Sequence, residues 1–242
     1  KDMIDNGEDI NSFDQFSRTA LLNACSKRYN EIVLYLLQSG AYVDYIGIGG
    51  ITPLIEATSK GYTEIVSYLL EFNATVDIQD SCGYTALMFA TNLGNVIIVS
   101  KLLQAGCNVN LHNYSEQHNA LMYACRKGYL EIIKLLLPFV SNILALDHKQ
   151  NTALYYTLAK SYWECSEYIL DYYQSMNSKL IDESVLNLMN TSNNSFPKHI
   201  KDKLYWMKYR KNWLEFVYSS QYITSSQSTT TVSFPLTRKV IQ

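Results

Sequence analysis

A short signature, Thr or Asn followed by Ala or Pro and then Leu, recurs along the chain at a nearly constant interval. It stands at Thr19-Ala20-Leu21, Thr52-Pro53-Leu54, Thr85-Ala86-Leu87, Asn119-Ala120-Leu121 and Thr152-Ala153-Leu154, in steps of 33, 33, 34 and 33 residues. A chain that restates itself at this period folds as an array of like units, because each unit buries its apolar side only against the next copy. Length therefore says little about the number of globular cores.

Each signature is followed at a fixed offset by a second one: Glu31-Ile32-Val33, Glu64-Ile65-Val66, Ile97-Ile98-Val99, Glu131-Ile132-Ile133 and, poorly matched, Glu164-Cys165-Ser166. An apolar pair closes every unit, from Leu36-Leu37 through Leu69-Leu70, Leu102-Leu103 and Leu136-Leu137 to Ile169-Leu170. In the second unit Leu54, Ala57, Ile65, Val66, Leu69 and Leu70 have the three-to-four spacing of a buried helical stripe. Thr52 is placed to cap the first helix, with Pro53 in its first turn, where a missing amide costs nothing.

Together these motifs resemble ankyrin repeats, although only Pro53 keeps the proline of the opening motif. The resemblance spans residues 1–174, with 1–11 as the end of an upstream repeat and full repeats near 12–44, 45–77, 78–110, 111–144 and 145–174. It implies an all-α fold, an α-solenoid of helix-turn-helix pairs joined by β-hairpin-like loops, here called fingers. It also implies a non-enzymatic scaffold that binds another protein or peptide through its concave face and fingers. A start inside a second helix, at Lys1, suggests a piece of a longer array.

Other chemistry finds little purchase. Hydrophobic content of 48% and charged content of 17% suit an ordered, water-soluble chain. No apolar run approaches the roughly 18 residues of a membrane span, and the first residues do not form a signal peptide, so a cytoplasmic protein is expected. The five cysteines form no Cys-x-x-Cys pair. Cys25 and Cys125 fall at equivalent places in their repeats, where a small buried thiol serves packing. His112 and His118 lack a third ligand at metal-binding spacing. Gly47-Ile48-Gly49-Gly50 resembles the start of a dinucleotide loop, but Thr52 takes the place of the third glycine, and the stretch falls between repeats. No cofactor or metal is implied.

Register with the family places the partner-facing positions. In the fingers they are Phe16 and Arg18, then Ile48 and Ile51, then Tyr84, then Tyr114; Tyr45, in the loop of repeat two, is a further candidate contact. On the first helices, Lys27, Lys60, Lys127 and Lys160 share one repeat position, broken only by Leu93, and Arg126 adds a second cation in repeat four. Phe13, Phe16, Tyr45, Ile46, Ile48 and Ile51 make either an exposed apolar contact patch or inward packing against neighbouring loops. The lysine column either steers an acidic peptide or is simply solvated.

The repeat pattern decays toward its end. Val140 and Tyr173 replace the residue tolerant of a left-handed backbone at Gly40, Asn73 and Gly106, and Ser161 replaces the glycine seen at Gly61, Gly94 and Gly128. Tyr155, Tyr156, Tyr162 and Trp163 suggest a junction with something other than a further repeat. Residues 175–224 read as a helical C-terminal cap, including a helix from Lys198 to Tyr218 with Ile200, Leu204, Met207, Leu214 and Val217 near one face. Residues 225–242 read as a flexible or extended tail. Charge divides the same way: residues 1–174 hold 11 Lys/Arg and 18 Asp/Glu, a balance of −7, and the remainder hold 9 and 4, a balance of +5. The basic helix could instead touch a membrane surface or nucleic acid, with exposure of both Trp206 and Trp213 speaking against a cap. The array could also be the targeting module of a larger enzyme or a host-directed effector. Partner identity and oligomeric state stay open.

Overall fold

The computed structural model of the chain describes residues 9–175, 185, 187 and 196–205. The array consists of five helix pairs: α1 (Ala20–Lys27) with α2 (Asn30–Gln38), α3 (Pro53–Ser59) with α4 (Thr63–Glu71), α5 (Ala86–Leu93) with α6 (Val96–Gln104), α7 (Ala120–Lys127) with α8 (Leu130–Leu136), and α9 (Ala153–Ala159) with α10 (Trp163–Ser175). Successive first helices touch one another, and so do successive second helices, making two layers. The chain is thus the all-α solenoid its period implies.

The recurring Thr or Asn starts every first helix by the same device. The side chain of Thr19, Thr52, Thr85, Asn119 or Thr152 accepts a hydrogen bond from the amide three residues on, at 2.9 to 3.4 Å. Each such cap stabilises its helix by about 1 kcal/mol. Pro53 sits in the first turn of α3 as expected.

The first helices approach closely because Ala24, Ala57, Ala90 and Ala124 stand at one repeat position, all buried. Leu21, Leu54, Leu87, Leu121 and Leu154 fill the space beside them in one continuous apolar cluster. Cys25 and Cys125 are fully buried in that cluster, as packing requires. Repeat five departs from the scheme at this point. Its buried Thr157 and Ser166 replace apolar residues, and their hydroxyls lie 2.9 Å apart, with Thr157 also bonded to the Leu154 carbonyl at 2.9 Å. The poor match at Glu164-Cys165-Ser166 is therefore a polar pair satisfied within the core.

The turn after each first helix needs a left-handed residue, and glycine is not essential to it. Gly61, Gly94 and Gly128 have φ of 72°, 74° and 73°, while Arg28 and Ser161 adopt 60° at the same position. Each non-glycine there costs roughly 1–2 kcal/mol of backbone strain, which the packing on both sides overrides. After α8 the chain takes a different course. Pro138 lies in a 3-10 turn, Leu137–Phe139, and Val140 is extended at φ −78°. Proline ends the helix there, so the left-handed residue is not needed.

Beyond α10, residues 198–205 are helical. Phe196, Ile200, Leu204 and Val185 are buried in the cluster that contains Leu170 and Tyr173. Phe196 packs edge-on against Trp163 with ring centroids 5.8 Å apart, and Lys203 bridges Glu167 at 2.9 Å and Asp171 at 2.6 Å. Met207, Leu214, Val217, Trp206, Trp213 and the tail from 225 lie outside the described residues.

Candidate protein-binding face

Four of the five fingers are each held by one acidic or amide side chain. Oδ1 of Asp14 accepts from the Phe16 and Arg18 amides, that of Asp80 from the Cys82 and Tyr84 amides, and that of Asp147 from the Lys149 and Asn151 amides, at 2.8 to 3.0 Å. Asn113 holds the His118 amide at 2.7 Å in the longer fourth finger. Finger two lacks this group and turns instead through Gly49 and Gly50 at φ 75° and 77°. A Cβ on Gly50 would lie 2.8 Å from the Asp80 backbone, so the second and third fingers meet main chain to main chain. Backbone bonds then link finger to finger: Ser81 N to Gly49 O at 2.8 Å, Tyr114 N to Cys82 O at 2.9 Å, and His148 N to Glu116 O at 3.0 Å.

A second set of rungs joins the repeats. Oδ1 of Asn11, Asp44, Asp77 and Asn110 accepts the amide of Tyr42, Thr75, Asn108 and Ser141, always 31 residues ahead, at 2.7 to 2.9 Å. Ile143 occupies the next position in this register and cannot accept such a bond. The ladder therefore ends between repeats four and five. Its signal in the sequence is Asn or Asp every 33 residues, at Asn11, Asp44, Asp77 and Asn110, outside the helical signatures.

The expected contact residues divide into those that face outward and those that hold the array together. Ile46, Phe16, Phe13 and Ile48 are between 57% and 72% exposed, and Tyr114 is exposed at the fourth fingertip. By contrast Ile51 is half-buried, and Tyr45 is half-buried with its hydroxyl donating to the Ser17 carbonyl at 3.0 Å. Both alternatives for the apolar loops are thus realised, side by side.

Arg18 also turns inward. Its Nε donates to Asn23 at 2.8 Å and its Nη2 lies 3.3 Å from Glu56. Lys60 reaches the same carboxylate at 3.3 Å and donates to the Ser26 carbonyl at 3.0 Å. Lys27, Lys127 and Lys160 are exposed and, among the described residues, unpaired; Leu93 interrupts them, exposed as well. Arg126 is exposed, with Glu116 at 3.8 Å.

A register relation explains the inward residues. In fingers one, three and four the last residue, Arg18, Tyr84 or His118, inserts between the fourth helical residue of its own repeat and that of the next. Arg18 thus contacts Asn23 and Glu56; Tyr84 contacts Phe89 and Tyr123 at 5.3 and 6.1 Å; His118 contacts Tyr123 and Tyr156, both at 5.4 Å. This zipper forms the floor between fingers and first helices. It is charged in repeats one and two and aromatic in repeats three to five.

At the aromatic end lies a polar cleft of about 350 Å³ lined by residues that include Glu116, His118, Arg126, Asp147, Lys149 and Lys160. The buried Asp147 accepts from Tyr156 and lies 3.2 Å from His118 Nε2. Burial alone would raise its carboxyl pKa, but the bonds from Tyr156, the Asn151 amide, His118 and the Lys149 amide together hold it below the ordinary value. Burial and the Asp147 carboxylate push the Tyr156 hydroxyl up, so it stays a donor. His118, a finger position that the sequence also offers as an incomplete metal pair with His112, is a buried strut between two repeats. Its Asp147 contact resembles the base-orienting half of a hydrolase site, but its described hydrogen-bond partners are Asp147 and Tyr156, with no nucleophile among them. Among the described residues no His, Cys, Asp and Glu cluster could hold a metal ion, and no helix is long and apolar enough to cross a membrane.

Comparison with known families agrees with this architecture. Models of ankyrin repeats match residues 47–113 and 94–179 in the three-copy form and residues 21–70 in the many-copy form. The chain belongs to the ankyrin-repeat family. Members are in general protein-protein interaction modules and typically not enzymes. No individual curated protein matches the chain.

Proposed function

We propose that the array is a non-enzymatic cytoplasmic scaffold that binds a partner protein across its concave face and fingers. The observation that carries this reading is the outward apolar row Phe13, Phe16, Ile46 and Ile48, set on two adjoining fingers. Side chains of this kind gain little from exposure to water, and a contiguous set commonly marks a contact surface. Fingers held by their own hydrogen bonds meet a partner with little ordering cost. Lys27, Lys127, Lys160 and Arg126 add a positive edge that favours an acidic partner. Phe16, Ile48 and Tyr114 supply apolar contact, whereas Arg18, Tyr45, Ile51, Lys60 and Tyr84 support that surface from behind.

A photo-crosslinking residue in place of Ile48 tests the reading. A discrete adduct in extract of the source cells is expected, competed by unlabelled protein and not by a Phe16→Ala/Ile48→Ala variant. Equal competition by that variant refutes it.

We further propose that the described part of the 175–224 segment, residues 196–205, closes the end of repeat five. The buried Phe196, Ile200 and Leu204 and the Lys203 bridges support this role, since a solenoid needs a cover where stacking stops. Ile200→Asp should then lower the melting temperature; an unchanged value would remove the cap.

A further inference from the structure

We infer that the cleft between the fourth and fifth fingers is a subsite for an acidic peptide, and that Glu116 is a built-in competitor for it. This deepens the protein-binding reading and rests on it. Arg126, Lys149 and Lys160 line the cleft and are exposed, while the half-buried Glu116 is its one carboxylate open to solvent, because Asp147 is buried and fully engaged. Lys149 and Lys160 have no ion-pair partner among the described residues, and Arg126 has only Glu116, at a loose 3.8 Å. The cleft therefore carries an unspent positive charge aimed at one acidic group.

The second observation is His118. Its Nε2 lies against the Asp147 carboxylate, which only accepts, and against the Tyr156 oxygen, whose proton goes to Asp147. Nε2 is therefore the nitrogen that carries hydrogen. Nδ1 is buried, belongs to a residue that lines the same cleft and has no hydrogen-bond partner. The Glu116 oxygen stands 3.0 Å away but out of line, and a carboxylate cannot donate to a ring lone pair. In the neutral ring Nδ1 accepts, and an N–H donor would satisfy it, while the three cations call for an anion. An acidic peptide offers both: its side-chain carboxylate to Arg126, Lys149 and Lys160, and a backbone N–H to Nδ1. A nucleic-acid backbone supplies the anion without the donor, which is why a peptide is the better occupant. Binding would turn Glu116 out of the cleft.

Fluorescence anisotropy with a labelled Glu/Gly peptide, its Gln/Gly counterpart and oligo-dT separates the cases. The acidic peptide should bind in preference to the other two. Glu116→Ala should tighten it about two- to fivefold, the range an exposed charge contact commands, and Arg126→Glu should weaken it roughly tenfold, while Lys101→Glu on α6 leaves it unchanged. Replacing one peptide N–H by an ester oxygen at each position in turn should find one site that weakens binding to wild type. Peptide affinity indifferent to Glu116 and Arg126, or matched by oligo-dT, overturns the subsite. The Ile48 crosslink reads the general surface separately, so its survival would leave the binding role standing without this cleft.

Discussion

Thr58 and Thr91 are fully buried, yet neither hydroxyl has a hydrogen-bond partner. They stand at the repeat position that Cys25 and Cys125 fill with a thiol, a group that tolerates an apolar setting. A buried hydroxyl without a partner costs about 1–3 kcal/mol of desolvation. Thr91→Val keeps the volume and the branched shape and removes the polar atom, so it should stabilise the array by about that amount. A shift of 1 kcal/mol moves the melting temperature by roughly 2–4 °C in a chain of this size, so an increase of about 2–12 °C is expected in a thermal melt followed by circular dichroism. Thr91→Ser provides the control, because it keeps the hydroxyl and loses a methyl worth about 0.8 kcal/mol. A Thr91→Val protein that melts at or below the wild-type temperature would show that the hydroxyl is satisfied in solution and would refute the reasoning. Thr58→Val should act in the same direction, and the double variant measures whether neighbouring repeats share the gain.

Asp147 has a folded pKa below its ordinary value, so its contribution to stability is complete above that ordinary value and is lost as pH falls through the lowered one. Melting temperature measured downward from pH 5 should therefore drop through the acid range, and Asp147→Asn should be less stable at pH 7 with a shallower acid slope. Burial pushes the Cys25 and Cys107 thiols up to about 12 and Cys125 and Cys165 upward as well, whereas Cys82 is exposed. Iodoacetamide should accordingly label the native protein once, at Cys82, and label all five cysteines after unfolding; rapid native labelling of Cys25 would contradict the packing. Asp77→Ala should cost about 1–2 kcal/mol by leaving the Asn108 amide without its acceptor, read by chemical denaturation.

Much of the fold was legible because it is written many times over. A cap such as Thr52 and a core position such as Leu54 recur at one interval, so local chemistry and repetition agree. Side-chain direction was less legible. Arg18 and Tyr84 occupy finger positions that face a partner by family register, and Tyr45 lies in the apolar loop of repeat two, but their partners Glu56, Ser17 and Tyr123 come from neighbouring fingers or repeats, and a long side chain chooses among them by geometry that no single repeat contains. The left-handed backbone at Arg28 escaped notice for a related reason. Glycine announces such a position, while arginine adopts it only because the helices on both sides demand it. The cleft around His118 needed two repeats to be brought together before its orphaned nitrogen could be recognised.

The side-chain ladder has a bearing on how such a chain could have come to its present length. Every rung from Asn11 to Asn110 offers the same acceptor to the same amide one unit ahead. A gene duplication copying any unit in that stretch would insert a repeat whose joints are already compatible on both sides. A copy placed behind Ile143 would meet no acceptor. Repeat five itself joins without a rung, so copying is easiest among the units that the ladder links, and lineages that lengthen or shorten this array should differ chiefly in the number of middle units.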